Sequence, residues 1–111
     1  MVELGRILTV SDMNTQIRRI HHLVYCKDFA NSLDKRMLAR PAHLARAQAL
    51  GKQLVSGGAL IKDSTMCGSM LIIDMPTIKQ VRKWVEADPY VSGKVWDKIE
   101  INELKLVPKS K

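Results

Sequence analysis

Residues 68–75 (GSMLIIDM) offer almost no polar side chain to turn toward water. So short an apolar run reads as a β-strand, and a strand apolar on both sides must be central in its sheet or covered. The rest of the chain has to supply its neighbours. Residues 17–27 (IRRIHHLVYCK) are rich in β-formers, with Ile20, His22, Val24 and Cys26 pointing one way and His21, Leu23 and Tyr25 the other. Ser56-Gly57-Gly58 reads as a turn, followed by a short apolar piece at 59–61 and a polar loop at 62–67. Residues 98–107 (KIEINELKLV) form the last strand. Their alternation changes phase between Ile101 and Leu104, which predicts a bulge near Asn102 and Glu103.

Two stretches carry the helical period instead. In residues 33–51 (LDKRMLARPAHLARAQALG), Leu33, Met37, Leu44, Ala47 and Leu50 recur at steps of three and four and mark a buried stripe. Pro41 suits the first turn of a helix, where its missing N–H costs nothing. The second helix starts after Pro76, with Thr77 as N-cap and Ile78, Val81, Trp84 and Val85 turned inward. Asp88 precedes Pro89, which forces it out of helical geometry and ends that helix. Residues 90–96 connect to the last strand with room for one helical turn.

The resulting order, β-α-β-β-α-β, is that of an α+β ferredoxin-like fold: a four-stranded antiparallel sheet with both helices on one face. Apolar residues on both sides of several strands leave the other face to be covered, and a second copy of the chain is the simplest cover, so a homodimer is expected. At 111 residues, residues 17–111 form one domain and residues 1–16 an N-terminal extension.

The formal net charge of +7 raises the question of nucleic acid, but the basic residues are scattered as on a solvated surface. The same strand order occurs in RRM modules, which need stacking aromatics on their central strands. Here those strands offer Tyr25 alone, so no nucleic-acid partner is expected. No apolar run reaches the roughly 20 residues of a membrane helix, so no membrane partner is expected either. Two cysteines, Cys26 and Cys67, with no secretory leader before them, imply reduced thiols and a cytoplasmic protein. The mildly apolar, Arg-containing start leaves a mitochondrial or other organelle presequence as the alternative, against which Glu3 and Asp12 count. His21, His22, Cys26 and Cys67 do not make a metal site. Adjacent histidines on a strand diverge, and no C-x-x-C or H-x-x-x-H spacing occurs.

Three groups carry candidate chemistry. Arg36, Arg40 and His43 sit at i, i+4 and i+7 and share a face if the helical phase continues through Pro41. Asp88 stands in EADPYV, and Ser69 follows Gly68 at the start of the apolar strand. Each has an ordinary structural explanation alone: a solvated basic face, an Asp-Pro turn, a strand start where glycine permits close approach.

Together they form a pattern. YCKDFANSLDKRMLARPAHLARAQAL, GSMLIID and WVEADPYVSGKVWDKIEI closely resemble the YciI-like (YCII-related) family, over residues 20–107. The most specific matches are R-x-x-x-R-x-x-H-L at 36–44 and D-P-Y-V at 88–91. The resemblance implies a ferredoxin-like fold paired as a dimeric α+β barrel. It also implies an active site around a His–Asp pair, here His43 and Asp88, with Ser69 lining the same pocket. The chain departs from the family at Gly57-Gly58-Ala59, where Gly-Pro is frequent, and in a short 62–67 loop. Both changes alter pocket shape, so a relative's substrate does not transfer directly. One branch of the family resembles enzymes that eliminate chloride from hydroxylated aromatic rings, and related dimeric barrels include isomerases of ring-cleavage lactones.

The chemistry agrees with that implication. A carboxylate on one imidazole nitrogen fixes the tautomer and leaves the other to take a proton. Arg36 and Arg40 would favour neutral imidazole and hold a carboxylate or phenolate, while Ser69 would bond a developing oxyanion. The expected protein is a lyase or isomerase without metal or organic cofactor, acting on a small anionic or phenolic molecule. The alternative is a non-catalytic dimeric binding or assembly module, attached to its partner through residues 1–16.

Overall fold

Residues 20–109 are described by the computed structural model. The sheet consists of β1 (His21–Asp28), β2 (Leu54–Lys62), β3 (Thr65–Asp74) and β4 (Trp96–Leu104). Helix α1 (Leu33–Ala49) follows β1, α2 (Ile78–Glu86) follows β3, and a single turn, α3 (Pro89–Ser92), leads into β4. The spatial order is β2-β3-β1-β4, antiparallel throughout, which is the ferredoxin-like arrangement expected from the sequence. The apolar 68–75 run indeed lies inside the sheet, between β1 and β2.

One sheet face carries the core. Val24, Cys26, Leu71 and Ile73 are buried there against Val81 and Val85 of α2, with Val95 and Trp96 closing one end. Each such Val or Ile side chain contributes about 1.5–3 kcal/mol relative to an exposed one. Thr77 caps α2 as expected, its hydroxyl accepting from the Gln80 N–H while the Gln80 side chain accepts from the Thr77 N–H. On the opposite face Leu23, Met70, Ile72 and Leu104 are half-buried and Tyr25 is exposed.

Four local expectations are corrected. Ser56-Gly57-Gly58 is not a turn but the middle of β2, paired with Ile72, Leu71 and Met70. The turn itself is Asp63-Ser64, both at positive φ, so Thr65, Met66 and Cys67 belong to β3 rather than to a loop. Pro41 lies inside α1 rather than in its first turn. The N–H it lacks would have paired with the carbonyl of Met37, on the solvent side of the helix, where water can replace the lost bond. The phase change in the last strand marks its end and not a bulge: pairing with β1 is regular from Leu104 to Lys98, and residues after Leu104 leave the sheet. The irregularity that exists lies at Lys27/Asp28, where Asp28 faces Trp96.

The stripe read on α1 is also displaced. Leu33 and Met37 are exposed, and the buried positions are Arg36, His43 and Ala47. Two of the three buried positions of the helix are therefore polar. Residues 1–16, and residues 17–19 of the expected first strand, lie outside the described residues. No described helix is long and apolar enough to cross a membrane.

Candidate active site

Helix α1 runs unbroken through Pro41, so Arg36, Arg40 and His43 do share a face, and it looks onto the sheet beside α3. Arg36, Arg40, His43, Ser69 and Tyr90 line one cavity of about 310 Å³ with apolar walls from Leu44, Leu54 and Leu71. That is the low end of the range for small-molecule sites. Gly57 and Gly58 line it from β2 between Leu54 and Ala59, so the middle of this wall carries no side chain.

Asp88 reaches His43 from the α2–α3 junction, behind the residues that line the cavity. Its extended backbone (φ −76°, ψ 142°) follows from the Pro89 that succeeds it. The side chain is fully buried and accepts from His43 Nδ1 at 2.9 Å, from Arg46 Nη1 at 2.9 Å and from the Tyr90 N–H at 2.9 Å. A carboxylate only accepts, so Nδ1 carries a proton, and in the neutral ring that is the one proton present. Nε2 is then a bare lone pair, and no described residue hydrogen-bonds it. The His43 ring stacks on Tyr90 at 4.1 Å and meets the edge of Trp96 at 5.6 Å, which fixes its plane.

Ser69 begins its side-chain network beside Gly68, where any Cβ would collide with the carbonyl of Cys26. The Ser69 hydroxyl accepts from Arg36 Nη2 at 2.7 Å and from Trp96 Nε1 at 3.1 Å. Arg36 in turn holds both oxygens of Asp28, at 2.7 and 3.0 Å, and reaches the Tyr90 hydroxyl at 3.4 Å. Burial works against the charge of Arg36, but the hydrogen bond and charge of Asp28 outweigh it and hold the guanidinium above its ordinary range. Burial also pushes the Cys26 thiol up to about 12, so beneath this site it stays a neutral thiol at physiological pH.

Charge accounting separates the two arginines that the sequence grouped. Arg36 is neutralised by Asp28, and the charge of Asp88 by Arg46. Arg40 has no ion-pair partner among the described residues and lines the cavity half-buried. It is the cation left to attract an anion. Among the described residues no group of three or more His, Cys, Asp or Glu side chains converges as a metal site would require.

A profile of the YCII-related domain matches residues 20–105. The chain belongs to the YCII-related family. It is 35% identical to Protein YciI of Escherichia coli over 95 residues, which are 78% of this chain and 97% of that protein. An uncharacterised protein of Haemophilus influenzae is 28% identical over 97 residues, 79% of this chain and 99% of the relative. Among solved structures, the 5-chloro-2-hydroxyhydroquinone dehydrochlorinase TftG of Burkholderia phenoliruptrix, in complex with 2,5-dihydroxybenzoquinone, superposes with a TM-score of 0.71. The two chains are 28% identical, and the match covers 77% of this one and 93% of TftG.

In this YCII-related chain, four of the five residues singled out by sequence line one cavity, and the fifth, Asp88, is bonded to His43 behind it. Four more were missed. Tyr90 and Trp96 fell in a stretch read as a connector, although Tyr90 lies inside the D-P-Y-V motif. Arg46 stands three residues after His43, a spacing that aims two helical side chains at one partner. Asp28, at the end of β1, carries no sequence signal of its burial.

Proposed function

We propose that this chain is a small lyase or isomerase that takes a proton from an anionic or phenolic ring compound. His43 is the base through Nε2, Asp88 holds the productive tautomer, Ser69 faces the oxygen on which charge develops, and Arg40 draws the anion in. Arg36 lines the pocket but is committed to Asp28, so its part is to hold Ser69 in place. No step of this reading calls on a metal or organic cofactor. The observation that carries it is the 2.9 Å contact between His43 Nδ1 and a fully buried Asp88, which leaves Nε2 unbonded in the cavity. The likeness to TftG, a dehydrochlorinase of a hydroxylated ring, supports the substrate class. Proton removal leaves an electron pair on the substrate that can expel a halide or move a double bond.

The test is turnover of 5-chloro-2-hydroxyhydroquinone and related hydroxylated rings. His43→Ala is expected to lose about two orders of magnitude or more, the usual share of a general base. Turnover unchanged in that variant removes His43 from the mechanism. A wild-type chain that binds such rings without converting them supports the binding-module reading instead.

The reading includes a homodimer in the cytoplasm, formed through the open sheet face. Leu23, Tyr25, Met70, Ile72 and Leu104 give that face an apolar centre left partly exposed in the single chain. Sedimentation equilibrium of the full chain is expected to give twice the monomer mass, and Ile72→Lys to shift it toward monomer. A monomeric wild type removes the dimer from the proposal.

A further inference from the structure

We infer that Ser69 and Tyr90 together form a two-hydroxyl oxyanion hole, which binds the deprotonated oxygen of a phenolic or enolic substrate. This deepens the proposal above and rests on it for the nature of the reaction. The guanidinium of Arg36 can only donate. Its Nη2 donates to Ser69 and its Nη1 to Tyr90, so both hydroxyl oxygens are used as acceptors. Ser69 accepts a second bond from the indole N–H of Trp96, also a pure donor. Both of its lone pairs are then filled, and its proton must be directed elsewhere. No described residue accepts a hydrogen bond from Ser69 or from the Tyr90 hydroxyl.

Both side chains line the cavity, and both are almost fully buried. Two O–H groups without acceptors therefore sit at adjacent nitrogens of one immobile guanidinium. Their directions are set in advance by donors that cannot reverse, as a preorganised hole requires. Burial pushes the Tyr90 phenol up, with the Arg36 charge pulling the other way without overtaking it, so the phenol keeps its proton at neutral pH. Asp28, by holding Arg36 with two bonds, is the anchor of the whole arrangement.

The probe is 4-nitrophenol, whose visible absorbance distinguishes phenol from phenolate, with 4-nitroanisole as a ring that has no ionisable oxygen. The wild-type chain is expected to bind the phenolate in preference to the phenol. Tyr90→Phe, which keeps the ring stacked on His43, and Ser69→Ala are each expected to weaken phenolate binding by roughly tenfold or more, the size of a lost hydrogen bond to a charged group. Affinity for 4-nitroanisole should stay within about twofold, since ring burial is retained. Unchanged phenolate affinity in Tyr90→Phe, equal losses for both ligands, or a wild-type chain that binds neither would overturn the hole. His43→Gln keeps the two readings apart, because it should lose turnover and still bind the phenolate. Turnover that survives in that variant removes the base and leaves the hole standing.

Discussion

Asp88→Asn is expected to lose about two orders of magnitude or more of turnover. The carboxylate receives three donors: His43 Nδ1–H, Arg46 Nη1–H and the Tyr90 N–H. An asparagine offers one acceptor oxygen and an NH₂ group that has to face either His43 or Arg46. Facing Arg46, it sets donor against donor at a guanidinium that is 29% exposed and also bonded to the Trp84 carbonyl. Facing His43, it also meets the Tyr90 N–H, which donates to the same oxygen, so either orientation loses one of the three bonds. An NH₂ turned to His43 makes Nδ1 the acceptor and moves the imidazole proton to Nε2, where it blocks the atom meant to take the substrate proton. An amide oxygen turned there holds the ring by a neutral bond in place of a charge-assisted one. Steady-state kinetics and ¹⁵N spectra of the histidine tautomer check this together. The Asp88→Asn/His43→Ala double variant should be little worse than either single one, because the two residues act as a unit. Turnover in Asp88→Asn within about threefold of wild type would show that the pair plays no part in positioning a base.

How much of this could be read from the chain depended on whether a residue's role is local. The β-α-β-β-α-β order follows from hydrophobic period alone, and the structure has it. His43 and Asp88 were legible because each sits in a motif, and Asp88 also has a local reason for its backbone, the proline that follows. Gly57-Gly58 misled because glycine propensity is a local quantity, whereas pairing with Leu71 and Met70 on the neighbouring strand is not. Leu33 and Met37 misled for a related reason. A helix normally turns its apolar stripe inward, but here Arg36 occupies the inward position because Asp28 waits there. The site thus displaced the core pattern that periodicity looks for. Asp28 is the residue no pattern could supply, and Arg46 carried only its spacing from His43. Each is an ordinary charged side chain until the fold brings a buried partner to it.

Arg36→Met is expected to be the most destabilising of the substitutions considered, costing about 3–5 kcal/mol. Both members of the pair are withdrawn from water, with side chains only 2% and 4% exposed, so solvent does little to screen them. Methionine nearly fills the space of the arginine stem, and lost packing is the lesser part of the cost. The larger part is Asp28, left as a buried carboxylate with neither of its two guanidinium bonds. For a domain of this size the loss corresponds to a fall in Tm on the order of 20 °C. The discriminating variant is Arg36→Met combined with Asp28→Leu, which removes the stranded charge as well. If the uncompensated carboxylate dominates, the double variant should recover most of the urea midpoint that the single one loses. It should not recover phenolate binding, because the Ser69 and Tyr90 hydroxyls have lost the donor that directed them. A double variant as stable as wild type and still defective in binding would separate the two duties of Arg36. Stability of the single variant within about 1 kcal/mol of wild type would mean that water reaches Asp28 and that the pair is an exposed one.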